Sequence, residues 1–291
     1  MSMSKDLSTL IAGTMNWGVW GNNLAKRDMQ ERIFAYLNQG ITSFDHADIY
    51  GGYTTEASFG EAWQEMNIPR DNVQFISKCG IKYVGGTREY ALKHYDYSKS
   101  YIIWSVEQSL KNLQTEYLDV LLLHRPSPLM QADEIAEAIT KLKETGKIKD
   151  FGVSNFSVEQ TALLQKNIPI SYNQIQFSAT HFESMLNGSI DFMQLHNIVP
   201  MAWNPLGAVF KETNEQTLRL HQLLSKLETK YECGKEIILL AWILKHPAGI
   251  LPVVGTTNLD RITNLAHVKT ITLSIEDWFA IWTESQGKKV P

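Results

Sequence analysis

The sequence predicts a single (β/α)8 barrel over residues 1–291, a closed ring of parallel strands surrounded by helices. Eight short apolar runs alternate with helical patterns, and polar side chains recur where the runs end. The length also fits, because such barrels use about 250 residues as one domain. No Pro, Gly or Ser linker divides the chain. The alternative, a doubly wound open sheet, is disfavoured because no Gly-x-Gly-x-x-Gly stretch follows the first run.

The predicted strands are short and apolar, as strands buried on both faces should be. In chain order they cover residues 10–16, 41–45, 73–76, 118–123, 148–153, 172–177, 199–203 and 251–254. Helical spacing of apolar residues predicts helices over residues 27–37, 57–66, 100–113, 132–143, 158–165, 214–231, 235–245, 259–267 and 274–285, with another ending over 192–196. Gly40 is placed to stop the first helix, and Ser274 is placed to cap the last.

Composition narrows the possible partners and the compartment. The formal net charge of −4 is spread along the chain, so neither nucleic acid nor an anionic membrane surface is an expected partner. The apolar run 237–244 is too short to span a bilayer, and residues 1–7 lack the pattern of a signal peptide. The cysteines, Cys79 and Cys233, fit a reducing compartment, so we expect a cytoplasmic protein. The absence of a coiled-coil repeat favours a monomer.

Ionisable side chains gather at the ends of three consecutive predicted strands. Asp45 and Tyr50 follow the second strand, Lys78 follows the third, and His124 follows the fourth. Barrels build their sites at these carboxyl ends, so we expect the four side chains to meet. An ammonium at Lys78 would lower the pKa of Tyr50, and Asp45 would keep Lys78 charged. Tyr50 could then protonate a carbonyl oxygen aligned by His124.

The chain resembles the aldo-keto reductase superfamily along nearly its whole length. The resemblance rests on ordered motifs at the predicted strand ends: Asp45-x-Ala-x-x-Tyr50, Ser77-Lys78, Leu-Leu-His124-Arg-Pro, Gly152-Val-Ser154-Asn155-Phe, Asn173-Gln174 and Gly255-x-Thr-x-x-x-Arg261. The ending from Asp277-Trp278-Phe279 to Val290-Pro291 is similar to a bacterial NADP-dependent oxidoreductase branch. The resemblance implies reduction of small aldehydes or ketones by direct hydride transfer.

The resemblance also implies roles for individual residues. Tyr50 matches the general acid, and Lys78, Asp45 and His124 complete its tetrad. The expected cofactor-binding residues are Ser154, Asn155 and Gln174 at the nicotinamide carboxamide, Trp203 stacked on the ring, Asn204, Pro205, Leu206 and Gly207 at the pyrophosphate, and Gly255, Thr256, Thr257 and Arg261 near the adenosine 2′-phosphate. A phosphate there would also meet the start of the helix predicted over 259–267.

Many relatives place a lysine near the 2′-phosphate, where this chain has Val253, Val254 and Asn258. The match of Thr257 and Arg261 to the 2′-phosphate contacts makes NADPH the expected cofactor, and the missing lysine leaves NADH as the alternative.

The substrate pocket is expected to have an aromatic and cationic rim formed by Trp17, Trp20, Tyr53 and Arg125, although plain packing is an equal alternative for the aromatic residues. Specificity should lie on the loops 80–98 and 207–215, the first being a lid or a flap.

Two other functions stay open. The chain could be a sensor or regulatory subunit that binds a nicotinamide cofactor with negligible turnover. Asp45, His46, Asp48 and His124 could instead form the metal site of a hydrolase or isomerase, but no second cluster has zinc-like spacing. No metal is therefore expected, and Asp48 is expected to be structural.

Overall fold

A computed structural model of the chain describes residues 7–290. Pro291 and residues 1–6, which carry most of the argument against a signal peptide, lie outside the described residues. The strands are β1 Ile11–Gly13, β2 Ser43–Asp45, β3 Gln74–Cys79, β4 Ile81–Lys82, β5 His94–Tyr95, β6 Leu118–Leu123, β7 Ile148–Ser154, β8 Tyr172–Gln176, β9 Val199–Trp203 and β10 Leu251–Val254. Parallel pairing runs β1-β2-β3-β6-β7-β8-β9-β10 and returns to β1, which confirms the predicted barrel.

Helices follow the barrel strands along the chain. They are α1 Lys26–Asn38, α2 Thr55–Gln64, α3 Lys99–Leu113, α4 Ala132–Glu144, α5 Val158–Gln165, α6 Ser189–Leu195, α7 Glu215–Tyr231, α8 Lys235–Leu244, α9 Leu259–Asn264 and α10 Ile275–Gln286. The helix predicted over 259–267 ends early, and the 3-10 helix Leu265–Thr270 continues from it. Ser274 caps α10 as predicted, since its hydroxyl accepts a hydrogen bond from the Asp277 N–H at 3.0 Å.

The core has two layers, because successive side chains of a strand point to opposite faces. Phe75 and Ile76 on β3 illustrate this alternation. Phe75 belongs to the apolar layer between the strands and the helices, whereas Ile76 belongs to the interior of the barrel. The interior is filled by Ile11, Ile76, Val120, Leu122, Tyr172, Met201 and Val253. The barrel is therefore a packed core, and any open site must lie at one of its ends.

The last helix is fixed to the barrel by a pair of tryptophans. Trp242 on α8 and Trp278 on α10 stack with ring centroids 5.1 Å apart. Each indole N–H donates to the backbone carbonyl of the other residue, at 3.1 and 2.9 Å. Both indole donors are thus satisfied while the partly buried Trp278 ring covers the buried Trp242 ring. None of the helices in residues 7–290 is long and apolar enough to cross a membrane.

Residues 80–98, here called the flap, leave the carboxyl end of β3 and return to α3. Within the flap, β4 and β5 pair antiparallel, with Ile81 opposite Tyr95 and Lys82 opposite His94. The Lys82 ammonium also lies 2.6 Å from an Asp96 carboxylate oxygen. The long connection predicted between β3 and α3 therefore includes a short two-stranded ribbon.

Candidate active site

Lys78 joins two groups of the predicted tetrad at the carboxyl end of the barrel. Its side chain emerges from β3 and is fully buried. The ammonium nitrogen lies 2.7 Å from Oδ2 of Asp45, 3.1 Å from the Tyr50 hydroxyl and 2.8 Å from the His46 carbonyl oxygen. All three ammonium protons therefore have acceptors, which is the condition for burying a lysine as a cation.

The neighbours of Lys78 and Tyr50 shift the pKa values of both groups. Burial by itself would lower the pKa of Lys78, but Asp45 and the Tyr50 oxygen outweigh burial and raise it above its usual value. Burial raises the pKa of Tyr50, and the Lys78 ammonium opposes that rise. The predicted direction of the lysine's influence on Tyr50 is thus correct. The net pKa of the phenol is nevertheless raised, because loss of hydration is the larger effect.

His124 is the fourth member of the group. Its ring meets the Tyr50 ring edge-on at a centroid distance of 6.1 Å. Burial, followed by the charges of Lys78, Arg125 and Lys93, holds the imidazole pKa well below its usual value. Its Nδ1 is buried without a hydrogen-bonding partner among residues 7–290. His124 is therefore a neutral imidazole with an N–H free to meet a ligand oxygen.

Gln174 connects the tetrad to the residues expected at the nicotinamide. Its side-chain amide on β8 donates to Oδ1 of Asp45 at 3.0 Å, so both oxygens of that carboxylate are engaged. Its backbone carbonyl accepts a hydrogen bond from the Ser154 hydroxyl at 3.1 Å. The Ser154 contact follows from register, because Ser154 on β7 pairs with Gln174 on β8. The Asp45 contact instead joins β8 to β2, which are not neighbours in the barrel.

Asn155 and Trp203 extend this network toward the outer part of the site. The Asn155 amide nitrogen donates to the Ser154 hydroxyl at 2.8 Å, and its oxygen accepts from the Trp203 indole N–H at 2.9 Å. Asn155 has φ of +60°, a conformation that asparagine tolerates better than most residues. The structure thus places Ser154, Asn155, Gln174 and Trp203 side by side at the carboxyl ends of β7, β8 and β9.

The segment Asn204, Pro205, Leu206 and Gly207 turns sharply after β9. Asn204 and Gly207 have φ of +53° and +56°. A Cβ at Gly207 would lie 2.0 Å from the Thr180 hydroxyl oxygen, so the turn requires glycine there. Lys211 donates to the Asn204 side-chain oxygen at 2.7 Å. Lys211 thus places a cation beside the segment expected at the pyrophosphate. The sequence motifs did not identify this lysine.

The segment from Gly255 to Thr257 is held from the side by α1. The Tyr36 hydroxyl donates to the Thr256 carbonyl at 2.7 Å, and the Arg32 Nε donates to the Thr257 carbonyl at 3.1 Å. Arg32 is a second cation that sequence reasoning missed, because in an amphipathic helix it resembles an ordinary surface charge. The exposed Arg261 lies in the first turn of α9, and its backbone N–H donates to the side-chain oxygen of Asn258, the N-cap residue, at 2.9 Å.

Two residues predicted for the substrate pocket have other positions. Trp17 is fully buried and stacks on Tyr36 with a centroid distance of 6.2 Å, close to Phe59. Its predicted place at the rim is wrong, because the loop after β1 turns this indole into the layer between strands and helices. Tyr53 is also buried, and its hydroxyl donates to the Ile81 carbonyl at 3.1 Å. Its predicted place at the rim of the substrate pocket is therefore wrong, and Tyr53 supports the flap instead.

The other two predicted pocket residues lie near the tetrad. Trp20 is 38% exposed and meets the Tyr50 ring edge-on at 6.3 Å and the Tyr83 ring of the flap at 5.1 Å. Arg125 follows His124 directly, and its guanidinium carbon lies 5.7 Å from the centre of the Trp203 ring. Aromatic rings and one guanidinium therefore lie beside Tyr50 and His124.

Asp48 and His46 serve the structure around the tetrad. The Asp48 carboxylate accepts from the Ser105 hydroxyl at 3.0 Å and lies 3.3 Å from the Arg88 guanidinium of the flap. Burial raises the pKa of Asp48 to about 7, against the opposing charge of Arg88. His46 is bonded to Thr14 at 3.0 Å, and burial lowers its pKa to about 3. Each group is held by protein partners through one of its polar atoms, Oδ2 of Asp48 and Nδ1 of His46, which favours a structural role for both.

The residues around Tyr50 are suited to acid–base chemistry and to ligand binding. In the part of the chain that the structure describes, no group of three His, Cys, Asp or Glu side chains could hold a metal ion. Cys79 is buried, and burial raises the pKa of its thiol well above the usual value, so the thiol is inert. The arrangement can align a polar ligand at His124 and exchange a proton at Tyr50.

Comparison with known proteins shows the same family throughout. The model of the Aldo/keto reductase family matches residues 9–284. An uncharacterized oxidoreductase of Bacillus subtilis strain 168 is 39% identical, with 100% of this chain and 99% of that protein covered. A 6-dehydroglucose reductase of Agrobacterium fabrum is 36% identical, with 100% and 98% covered. A crystal structure of an aldo/keto reductase from Klebsiella pneumoniae in complex with NADP and acetate matches with a TM-score of 0.77 at 24% identity, over 94% of this chain and 90% of that one. The chain belongs to the aldo/keto reductase family of oxidoreductases.

Proposed function

We propose that this protein reduces small aldehydes or ketones to alcohols with NADPH, using Tyr50 as the general acid. The observation that carries the proposal is the position of the Lys78 ammonium, which touches the Tyr50 hydroxyl and the Asp45 carboxylate at once. A structural lysine needs only its carboxylate. A phenol placed against the same ammonium, beside a neutral imidazole, is the arrangement that proton donation to a carbonyl oxygen requires.

The residues present fit a nicotinamide dinucleotide. Ser154, Asn155 and Gln174 gather hydroxyl and amide groups beside the Trp203 ring, which suits a carboxamide on a flat aromatic ring. Arg32 and Arg261 flank the Thr257 segment, where a 2′-phosphate would need cations. Arg32 is also paired with Glu31 at 3.2 Å, so Arg261 is the stronger candidate for that phosphate. A Cβ at Gly255 would meet nothing within 4 Å, so the backbone there is open to a ligand. These two arginines support NADPH over NADH although the lysine common in relatives is absent.

When bound, NADPH supplies the hydride that reduces the carbonyl carbon. His124 donates its N–H to the carbonyl oxygen and so orients and polarises the substrate. Tyr50 transfers its proton to the same oxygen, and the alcohol results. The Lys78 ammonium stabilises the phenolate left on Tyr50, and Asp45 keeps Lys78 protonated and in place.

The test is NADPH oxidation followed by absorbance, with 4-nitrobenzaldehyde and phenylglyoxal as activated carbonyls. Tyr50→Phe should lower kcat by about 10²–10⁴-fold, the usual contribution of a general acid, and should leave the Kd for NADPH within twofold of the wild type. Tyr117→Phe is the matched control. Tyr117 directly precedes β6, at the end of the barrel opposite the tetrad, and its hydroxyl donates to the Asp71 carboxylate. Equal activity in Tyr50→Phe and wild type would overturn the mechanism.

The same experiment separates the competing function. Tight NADPH binding without turnover of any carbonyl would point to a sensor or regulatory subunit. We also propose that the whole chain is one domain, since every described helix packs around the same barrel. The cytoplasmic location and the monomeric state stay predictions from the sequence.

A further inference from the structure

Arg125 is fixed in place by a residue at the end of the flap. The buried Tyr97 hydroxyl accepts a hydrogen bond from the Arg125 N–H at 3.1 Å and also donates to the Arg125 carbonyl. The N–H of the preceding residue, His124, donates to the Cys79 carbonyl at 2.9 Å. The backbone that carries both His124 and Arg125 is therefore clamped, and the guanidinium projects from a rigid base beside the imidazole.

The guanidinium itself has no acidic partner. Within residues 7–290 it makes neither an ion pair nor a side-chain hydrogen bond, and its one close contact is the Trp203 ring at 5.7 Å. The residue is only partly exposed. A partly buried arginine that packs against an aromatic ring keeps its planar donor edge free. Arg125 is thus an oriented cation with unused donors next to the candidate acid.

Positive charges outnumber negative charges among the side chains of Lys78, Asp45, Asp48, Arg88, Arg125 and Lys93, around Tyr50 and His124. Lys78 is neutralised by Asp45, and Asp48 is paired with Arg88 behind the flap. The positive charge of Arg125 remains and acts on both Tyr50 and His124. Lys93, an exposed flap residue, adds a second positive charge close enough to act on His124. Arg125 and Lys93 therefore both place positive charge near His124.

We propose that Arg125 is a specificity-determining residue that binds a carboxylate on the carbonyl substrate. This inference rests on the function proposed above and adds the substrate class, a carbonyl compound that carries an anionic group. A guanidinium offers two parallel N–H donors that match the two oxygens of a carboxylate. With the carboxylate held at Arg125, the carbonyl group of the same molecule can reach the neighbouring His124 and Tyr50.

The test uses two aldehydes that differ only in charge, 4-formylbenzoate and its neutral methyl ester. Arg125→Met retains an unbranched apolar side chain and removes the charge. It should raise KM for 4-formylbenzoate by about tenfold or more, the loss expected when one charge-assisted contact disappears. KM for the methyl ester and for NADPH should change by less than about twofold, the spread of near-neutral substitutions. Arg125→Lys should recover part of the loss, because it restores the charge without the paired donors.

Lys269→Met is the matched control for removing one positive charge, because Lys269 lies beside Gly40 ahead of β2, at the opposite end of the barrel. It should leave the preference between the two aldehydes unchanged. A second readout does not depend on turnover. Calorimetry of 4-formylbenzoate binding to the Tyr50→Phe protein with NADP⁺ should show the same weakening when Arg125→Met is added.

The outcomes separate this inference from the proposed function. Suppose that the enzyme reduces the methyl ester in a Tyr50-dependent reaction and that Arg125→Met changes KM equally for both aldehydes. This result would overturn the role of Arg125 and leave the proposed reaction intact. A rise in KM for NADPH alone would assign Arg125 to the cofactor and also overturn the inference. Absence of turnover with either aldehyde would instead count against the proposed function, and the calorimetric comparison would still decide whether Arg125 binds a carboxylate.

Discussion

The Nζ atom of Lys78 lies 2.7 Å from Oδ2 of Asp45, and both side chains are almost wholly removed from water, with exposures of 0% and 4%. Two buried charges at this separation depend on each other, since either one alone would lose its hydration without compensation. The pair is therefore both a structural element and the charge that acts on Tyr50. Its two roles can be separated by mutation.

Lys78→Met should abolish turnover and also destabilise the fold. The variant leaves Asp45 as an unpaired buried carboxylate, which costs about 3–5 kcal/mol in the free energy of unfolding. The double variant Asp45→Asn/Lys78→Met removes both charges and should regain a large part of that free energy without regaining activity. Urea unfolding and NADPH oxidation measured on the same samples test this separation. A double variant as unstable as Lys78→Met would show that charge pairing is not what Lys78 contributes to stability.

Arg261 and Arg32 should set the preference for NADPH over NADH. Arg261→Ala should lower the ratio of kcat/KM for NADPH to that for NADH by about tenfold, as loss of one contact to a charged group predicts. Arg32→Ala should lower the ratio less, because Arg32 is already paired with Glu31 at 3.2 Å. Lys211→Ala is the comparison, because Lys211 bonds Asn204 in the segment expected at the pyrophosphate, which both cofactors share. It should weaken both cofactors alike. An unchanged ratio in both arginine variants would remove the assignment of this phosphate site.

Asp48 should make stability depend on pH in an unusual direction. Burial raises its pKa in the folded protein to about 7 from an ordinary value of 3.8, so the folded state binds the proton more tightly than the unfolded state. For this group the stabilisation is complete below about pH 4 and is lost as the pH rises toward 7. Asp48→Asn removes the titration. The free energy of unfolding of the variant relative to wild type should therefore rise by on the order of 2 kcal/mol between pH 5 and pH 8.

Urea unfolding at those two pH values measures this change. Asp260→Asn is the control, because Asp260 is an exposed carboxylate at the start of α9. It should show no difference between pH 5 and pH 8 relative to wild type. A relative stability of Asp48→Asn that is the same at both pH values would mean that Asp48 does not titrate in this range.

The sequence was sufficient for the barrel and for the position of the tetrad. Parallel strands in a barrel all end at one face, so Lys78 and His124 could be brought together from strand order alone. The same logic failed for Trp17. A loop residue has no periodicity that fixes its direction, and the backbone after β1 turns this indole into the outer core.

Contacts between distant elements were the part that no local pattern could reveal. Arg32 and Lys211 reach the expected cofactor segment from α1 and from the turn before α7, and nothing in their own neighbourhoods distinguishes them from surface charges. The net pKa of Tyr50 was likewise beyond the sequence. It depends on how completely the phenol is buried, and only the packed structure gives that quantity.

Gly80 is a position where the flap depends on the absence of a side chain. Its φ is +109°, and a Cβ there would lie 1.9 Å from the Tyr97 ring. Gly85, farther along the flap, also has a positive φ, +88°, but a Cβ there would meet nothing within 4 Å. Alanine at either position brings backbone strain, and only at Gly80 does it also force the Tyr97 ring to move.

Gly80→Ala should therefore lower the free energy of unfolding by about 1–3 kcal/mol more than Gly85→Ala, the usual cost of overpacking. Because the Tyr97 hydroxyl bonds the backbone of Arg125, the same shift should reduce kcat/KM for 4-formylbenzoate more than for its methyl ester. Urea unfolding and steady-state kinetics of the two variants measure both effects. Equal losses of stability in Gly80→Ala and Gly85→Ala would show that backbone strain alone, and not contact with Tyr97, requires glycine at position 80.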